Sequence, residues 1–162
     1  MLSDPQIIMD SLRRIVQALR QSSAASESTT GLTGAQALVL GHVAARDGLS
    51  VNEVAGLTFT HQSSVSEVVS RLEARGLVLR ERAGDDARRC ILRPTPAGRA
   101  AAARLKDATA QEKLLRALAG LPPDRRAELA RGLSALIAAA GLGGRRPVMF
   151  FETIPSSERP AE

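Results

Sequence analysis

A mainly α-helical fold carrying one small β-hairpin is what this sequence predicts, and three observations predict it. Val65, Val68, Val69 and Leu72 recur at i, i+3, i+4 and i+7, the spacing of one helical stripe facing a core. Directly after that stripe, Gly76 stops the helix. Leu77-Val78-Leu79 and Arg88-Arg89-Cys90-Ile91-Leu92 then stand as short β-prone runs on either side of a turn at Ala83-Gly84-Asp85-Asp86. On both flanks the chain returns to helical periodicity. With 162 residues there is material for one domain with a core, or for a small two-lobed subunit.

Taken in order, residues 5–21 form an amphipathic helix, with Ile8, Leu12, Ile15, Val16 and Leu19 at helical spacing. Asp4 is placed to cap it and Pro5 fits the first helical position. Ser22 to Thr30 is polar and serine-rich and reads as a loop. Thr33 caps a second helix that runs to about Arg46, apolar through Leu38, Val39, His42 and Val43. Asp47-Gly48 ends it. Ser50-Val51-Asn52-Glu53 is a capping box, in which serine and glutamate satisfy each other's orphan amides. It opens a short helix with Val51, Val54 and Ala55 inward. Gly56-Leu57-Thr58-Phe59 makes a tight turn, and Thr60 caps the next helix, which runs to about Arg75. Beyond the hairpin, Thr95 caps a long helix whose buried side is marked by Ala101, Leu105, Ala108, Leu115 and Leu118. Gly120-Leu121-Pro122-Pro123 turns the chain. A last helix from about Asp124 to Ala140 aligns Leu129, Leu133, Leu136 and Ile137.

Helix, turn, helix and basic hairpin in that order make a winged helix-turn-helix, flanked here by N- and C-terminal dimerisation helices. The second helix of the unit carries Gln62, Ser63, Ser64 and Ser66 away from its apolar stripe. Serines lower helix propensity and add little packing, so a purely structural helix gains nothing from three of them. A helix end that must approach base edges and phosphates closely does gain. Arg71 and Arg75 on the same helix are placed for phosphates, and Arg89 lies on the returning strand. His61 is expected to meet phosphate or solvent.

From Leu32-Thr33-Gly34-Ala35-Gln36 to Pro96-Ala97-Gly98 the chain resembles the MarR family of bacterial transcription regulators. The matching pieces are Leu-Thr-x-x-Gln opening a helix, Leu49-Ser50-Val51, Val65-Ser66, and Leu72-Glu73-x-x-Gly76-Leu77-Val78. Arg80, Asp86 and Arg88 follow in the wing, then Thr95-x-x-Gly98. Pro94 departs from the usual leucine and puts the end of the second strand in question. The resemblance implies a homodimer on double-stranded DNA, usually a repressor, released from a pseudo-palindromic operator by a small-molecule effector. It implies that Arg88 enters the minor groove and that Asp86 orients the wing. It also implies a ligand pocket between the dimer helices and the DNA-binding lobe, where His42 with Arg13 or Gln17 would hold an anion.

The expected division is an N-terminal dimerisation helix and loop (1–31), the winged unit (32–98), C-terminal dimerisation helices (99–144) and a tail (145–162). That tail holds Phe150 and Phe151, and it is expected to pack in extended form against the dimerisation helices, on its own or a partner chain, with a disordered tail as the alternative.

Composition bounds the rest. A hydrophobic fraction of 44% with 24% charged residues is ordinary for a globular protein, and no run is long enough to span a bilayer. No signal core is seen at the N-terminus, so the expected compartment is the cytoplasm. Net charge of +5 and a pI near 10.8 favour a polyanionic partner, although arginine and alanine richness also accompanies GC-rich genomes. Two histidines and one cysteine fit no zinc motif, and no phosphate-cradling glycine loop or catalytic constellation is present. The expectation is therefore no enzyme, no metal and no cofactor. Cys90 reads as a buried or half-buried strand residue, with oxidant sensing as the sharper alternative. The rival function is a winged helix used as an architectural or protein-interaction module, which a footprint without sequence preference would favour.

Overall fold

A computed structural model describes residues 3–84, 86–105, 109–144 and 147–152, and at 86–89 it describes the backbone alone. Among the described residues, seven helices and one two-stranded antiparallel sheet follow in the order α1 (Asp4–Thr30), α2 (Gly34–Ala45), α3 (Val51–Leu57), α4 (Gln62–Ala74), β1 (Val78–Ala83), β2 (Asp86–Pro94), α5 (Pro96–Arg104), α6 (Ala110–Gly120) and α7 (Pro123–Ala139).

The core sits where α2, α3, α4 and the root of the hairpin meet. Val65, Val68, Val69 and Leu72 are all fully buried, against Val39, Leu40, Val43, Val54 and Leu92. Burying each such side chain stabilises the fold by roughly 1.5–3 kcal/mol, so this stripe is what holds α4 on the lobe. Capping box and turn chemistry appear as the residues dictate. Ser50 N–H donates to Glu53 Oε2 at 2.7 Å, and Glu53 N–H donates back to Ser50 Oγ at 3.2 Å. Thr33 caps α2 in the same reciprocal way with Gln36.

Four boundaries differ from the sequence reading. Ser22 to Thr30 is no loop: α1 continues through it for 27 residues in all. Ser26, Thr29 and Thr30 turn their hydroxyls back onto the carbonyls of Ser22, Ala25 and Ser26, while Ser23 Oγ accepts the amide of Gly34 at 3.1 Å. Self-satisfied or buried hydroxyls let tertiary contact override a poor helix propensity. Gly31, at φ 69°, then ends the helix in the left-handed conformation. At the start of α1, the amide partner is Gln6 Oε1 for Ser3 N–H at 2.9 Å, so Ser3 is the cap rather than Asp4. Likewise α4 begins at Gln62 with His61 as cap position, not Thr60.

The fourth difference is that the long helix after the wing is two helices. α5 stops at Arg104, and α6 has its own cap in Thr109, whose hydroxyl accepts the amide of Glu112 at 3.1 Å. The amide of Ala110 donates to Ser22 Oγ at 3.0 Å, which fastens the new start to α1. Ala108 lies outside the described residues.

The hairpin keeps its pairing to the end, with Val78 opposite Pro94 and Leu79 opposite Arg93. Proline fits there because it ends the ladder; the next amide, on Thr95, donates to Leu77 O at 3.0 Å. A bridge from Leu92 N–H to Leu49 O at 2.7 Å ties the sheet to the chain entering α3. Gly98 is required at the junction with α5, since a Cβ there would lie 1.9 Å from Leu77 O.

Candidate nucleic-acid interface

One face of α4 is polar and faces outward. Gln62 and Ser63 are exposed, Ser66 is half-buried, and together with Glu67, Ser70 and Arg71 they line a shallow surface groove. Ser64 behaves differently from its neighbours. It is buried at 7% exposure and so faces the lobe rather than a groove of DNA.

The wing is held to this helix by Arg80 of β1. Its Nη2 donates to Ser66 O at 3.2 Å, Ser66 Oγ at 3.3 Å and Ser70 Oγ at 3.4 Å, and its Nε lies 3.4 Å from Glu73 Oε2. One guanidinium thus sets the spacing between hairpin and helix along two turns of α4. At the root of the wing, Arg93 bridges Asp47 and Glu81, both at 2.7 Å. The side chains of Asp86, Arg88 and Arg89 lie outside the described residues; their backbone runs in β2.

Two arginines expected to reach phosphates are engaged within the chain. Arg75 Nη1 donates to Gly31 O at 2.7 Å and Gln36 Oε1 at 3.1 Å, which pins the end of α4 to the α1–α2 corner. Arg71 is paired with Glu152 of the C-terminal segment. Within this segment, Met149 inserts into the core cluster of its own chain at 7% exposure. Sequence periodicity offers no signal for Glu152, because the pairing joins residues far apart in the chain.

Comparison with known proteins agrees with this architecture. The MarR family pattern matches residues 30–89, the span from the end of α1 to the second wing strand. A crystal structure from Pseudomonas aeruginosa, assigned as a transcriptional regulator, is 31% identical, covering 76% of this chain and 92% of that one at a TM-score of 0.51. The chain belongs to the MarR family. It is a winged-helix transcriptional regulator, and regulators of this family are DNA-binding proteins rather than enzymes.

Among curated proteins, one from Thauera aromatica assigned to transcriptional regulation of the hcr operon is 33% identical over 97 residues. That match covers 60% of this MarR-family chain and 58% of the relative's length. The MepR–DNA complex of Staphylococcus aureus shares the fold at 19% identity, covering 86% of this chain and 99% of that one with a TM-score of 0.52.

Elsewhere in this MarR-family chain, a cleft of about 590 Å³ opens between α2, α5 and α6. His42 lines it, and its Nε2 lies 3.2 Å from Glu112 Oε2, with Arg99 and Arg116 also on the wall. Arg13 and Gln17 do not join His42. Both are exposed on α1, and Arg13 pairs with Asp10 at 2.8 Å. Cys90 is exposed rather than buried, opposite Arg82 in the ladder. No helix is long and apolar enough to cross a membrane among the described residues.

Proposed function

We propose that the chain acts as a cytoplasmic homodimeric repressor that binds a pseudo-palindromic operator and is released from it by a small-molecule ligand. The observation that carries the dimer is α7, which buries none of its residues within the chain. Leu129, Leu133, Leu136 and Ile137 are 42–43% exposed along it, and Ile7, Ile8, Met9, Ile15 and Val16 are exposed along α1. Apolar stripes of that length are covered in a stable protein, and a second copy covers both by symmetry. Two-fold pairing also presents two α4 helices to successive major grooves, with half-sites roughly 10 bp apart or a multiple of that. The DNA complex of MepR supports this use of the fold.

In this reading Gln62, Ser63 and Ser66 meet base edges and phosphates, Arg88 and Arg89 follow the minor groove, and Asp86 orients them. Residues 32–98 read DNA, while 1–31 and 99–144 join the two copies. The His42–Glu112 cleft takes the effector, and it touches α2 and α5, which connect the dimer helices to the winged unit. A ligand acts only through a difference in affinity between DNA-competent and incompetent arrangements. Light scattering of the free protein and of its complex with a short duplex tests the assembly. Two chains in each are expected; a single chain at micromolar concentration, alone and on DNA, would overturn the dimer.

A further inference from the structure

The C-terminal segment reaches α4 at Arg71, one end of its polar face. Met149 is seated in the core at 7% exposure, Gln111 Nε2 donates to Phe150 O at 3.4 Å, and Glu152 N–H donates to Met149 O at 3.1 Å. That turn delivers the Glu152 side chain, 2% exposed, to the guanidinium of Arg71. Arg71 stands at the end of the α4 face lined by Gln62, Ser63, Ser66, Glu67 and Ser70. A carboxylate on the guanidinium cancels the charge that a phosphate would meet there and repels it, so the two compete for Arg71.

We propose that residues 147–152 form an intramolecular latch that competes with the DNA backbone for Arg71. The proposal rests on the DNA reading above and adds a regulation to it. In the latched chain one cation of the recognition face is neutralised and half-covered, which lowers affinity for any polyanion. A duplex that makes the remaining contacts displaces Glu152, while a random one does so less readily, so the latch favours discrimination. Its anchorage suits release. A single flexible methionine plugs the core, Phe151 holds a left-handed φ of 59°, and Gly143-Gly144 lies between α7 and the segment.

The test compares the full chain, Glu152→Gln, and a chain ending at Gly144, each titrated with a random labelled duplex over a range of salt. Both variants should bind several-fold tighter than the parent, with a salt slope steeper by about one unit as Arg71 takes a phosphate. In an Arg71→Ala background, Glu152→Gln should change nothing. Hydrogen exchange at residues 147–152 of the full chain should rise on DNA addition. Variants that bind as the parent does, or more weakly, overturn the latch and leave the DNA reading intact. Parent and variants that all ignore duplex DNA overturn both. The Glu152→Gln arm keeps the test decisive if the shortened chain fails to fold.

Discussion

Arg80 Nη2 lies 3.3 Å from Ser66 Oγ, so a residue of the wing orients a hydroxyl on α4. That guanidinium ties the position of the wing to the α4 face. Replacing Arg80 with alanine leaves the core untouched but removes the donor on the Ser66 hydroxyl, while Ser70 keeps its bond to Ser66 O at 2.9 Å. The preference for a selected site over random duplex should fall about tenfold, the ~1.4 kcal/mol of one charge-assisted hydrogen-bonded contact. Competition binding measures it, and Arg80→Lys should restore part of the loss. An unchanged ratio in the alanine variant would reject the coupling.

Gly98→Ala should destabilise the chain strongly. The added methyl would meet Leu77 O at 1.9 Å, and backbone on both sides leaves little room to give. A cost of about 3 kcal/mol is expected, lowering the thermal midpoint by roughly 10 °C. Gly41→Ala is the control, because nothing lies within 4 Å of its added Cβ and alanine favours a helix. Its midpoint should hold or rise.

Leu133→Glu together with Leu136→Glu should give a folded single chain. Both residues are exposed on α7 and neither supports the core, so helix content by circular dichroism should persist while the mass halves. A doubly charged stripe that still sediments as a dimer would place the interface elsewhere.

Arg88→Ala should weaken DNA binding and reduce the salt slope by about one unit, the signature of one lost phosphate or minor-groove cation. Equal slope and affinity would exclude Arg88 as a contact.

Much of the winged unit was legible in the residues themselves. The Val65–Leu72 stripe, the Ser50–Glu53 box and the Gly76 stop are local signals, and each appears as read. Ser22–Thr30 reads as loop by propensity, but Ser26 turns its hydroxyl back onto Ser22 O and Ser23 is held by the amide of Gly34, a partner that propensity cannot see. Between Ala101 and Leu118 the break is marked by Thr109-Ala110-Gln111-Glu112, which has the spacing of the Ser50–Glu53 box but lies inside a continuous apolar pattern that hides it. In the site, residue type alone nominated Ser64 and Arg75. Burial turns the first inward, and the Gly31 carbonyl occupies the second. Glu112 beside His42 and Glu152 beside Arg71 are long-range meetings that no periodicity announces.

Selection of bound fragments from a random duplex library tests the central claim most directly. The account predicts an enriched inverted repeat whose half-sites are centred about 10 bp apart, or a multiple of that, occupied by two chains. A pool with no enriched sequence, held equally well by a single chain, would contradict it.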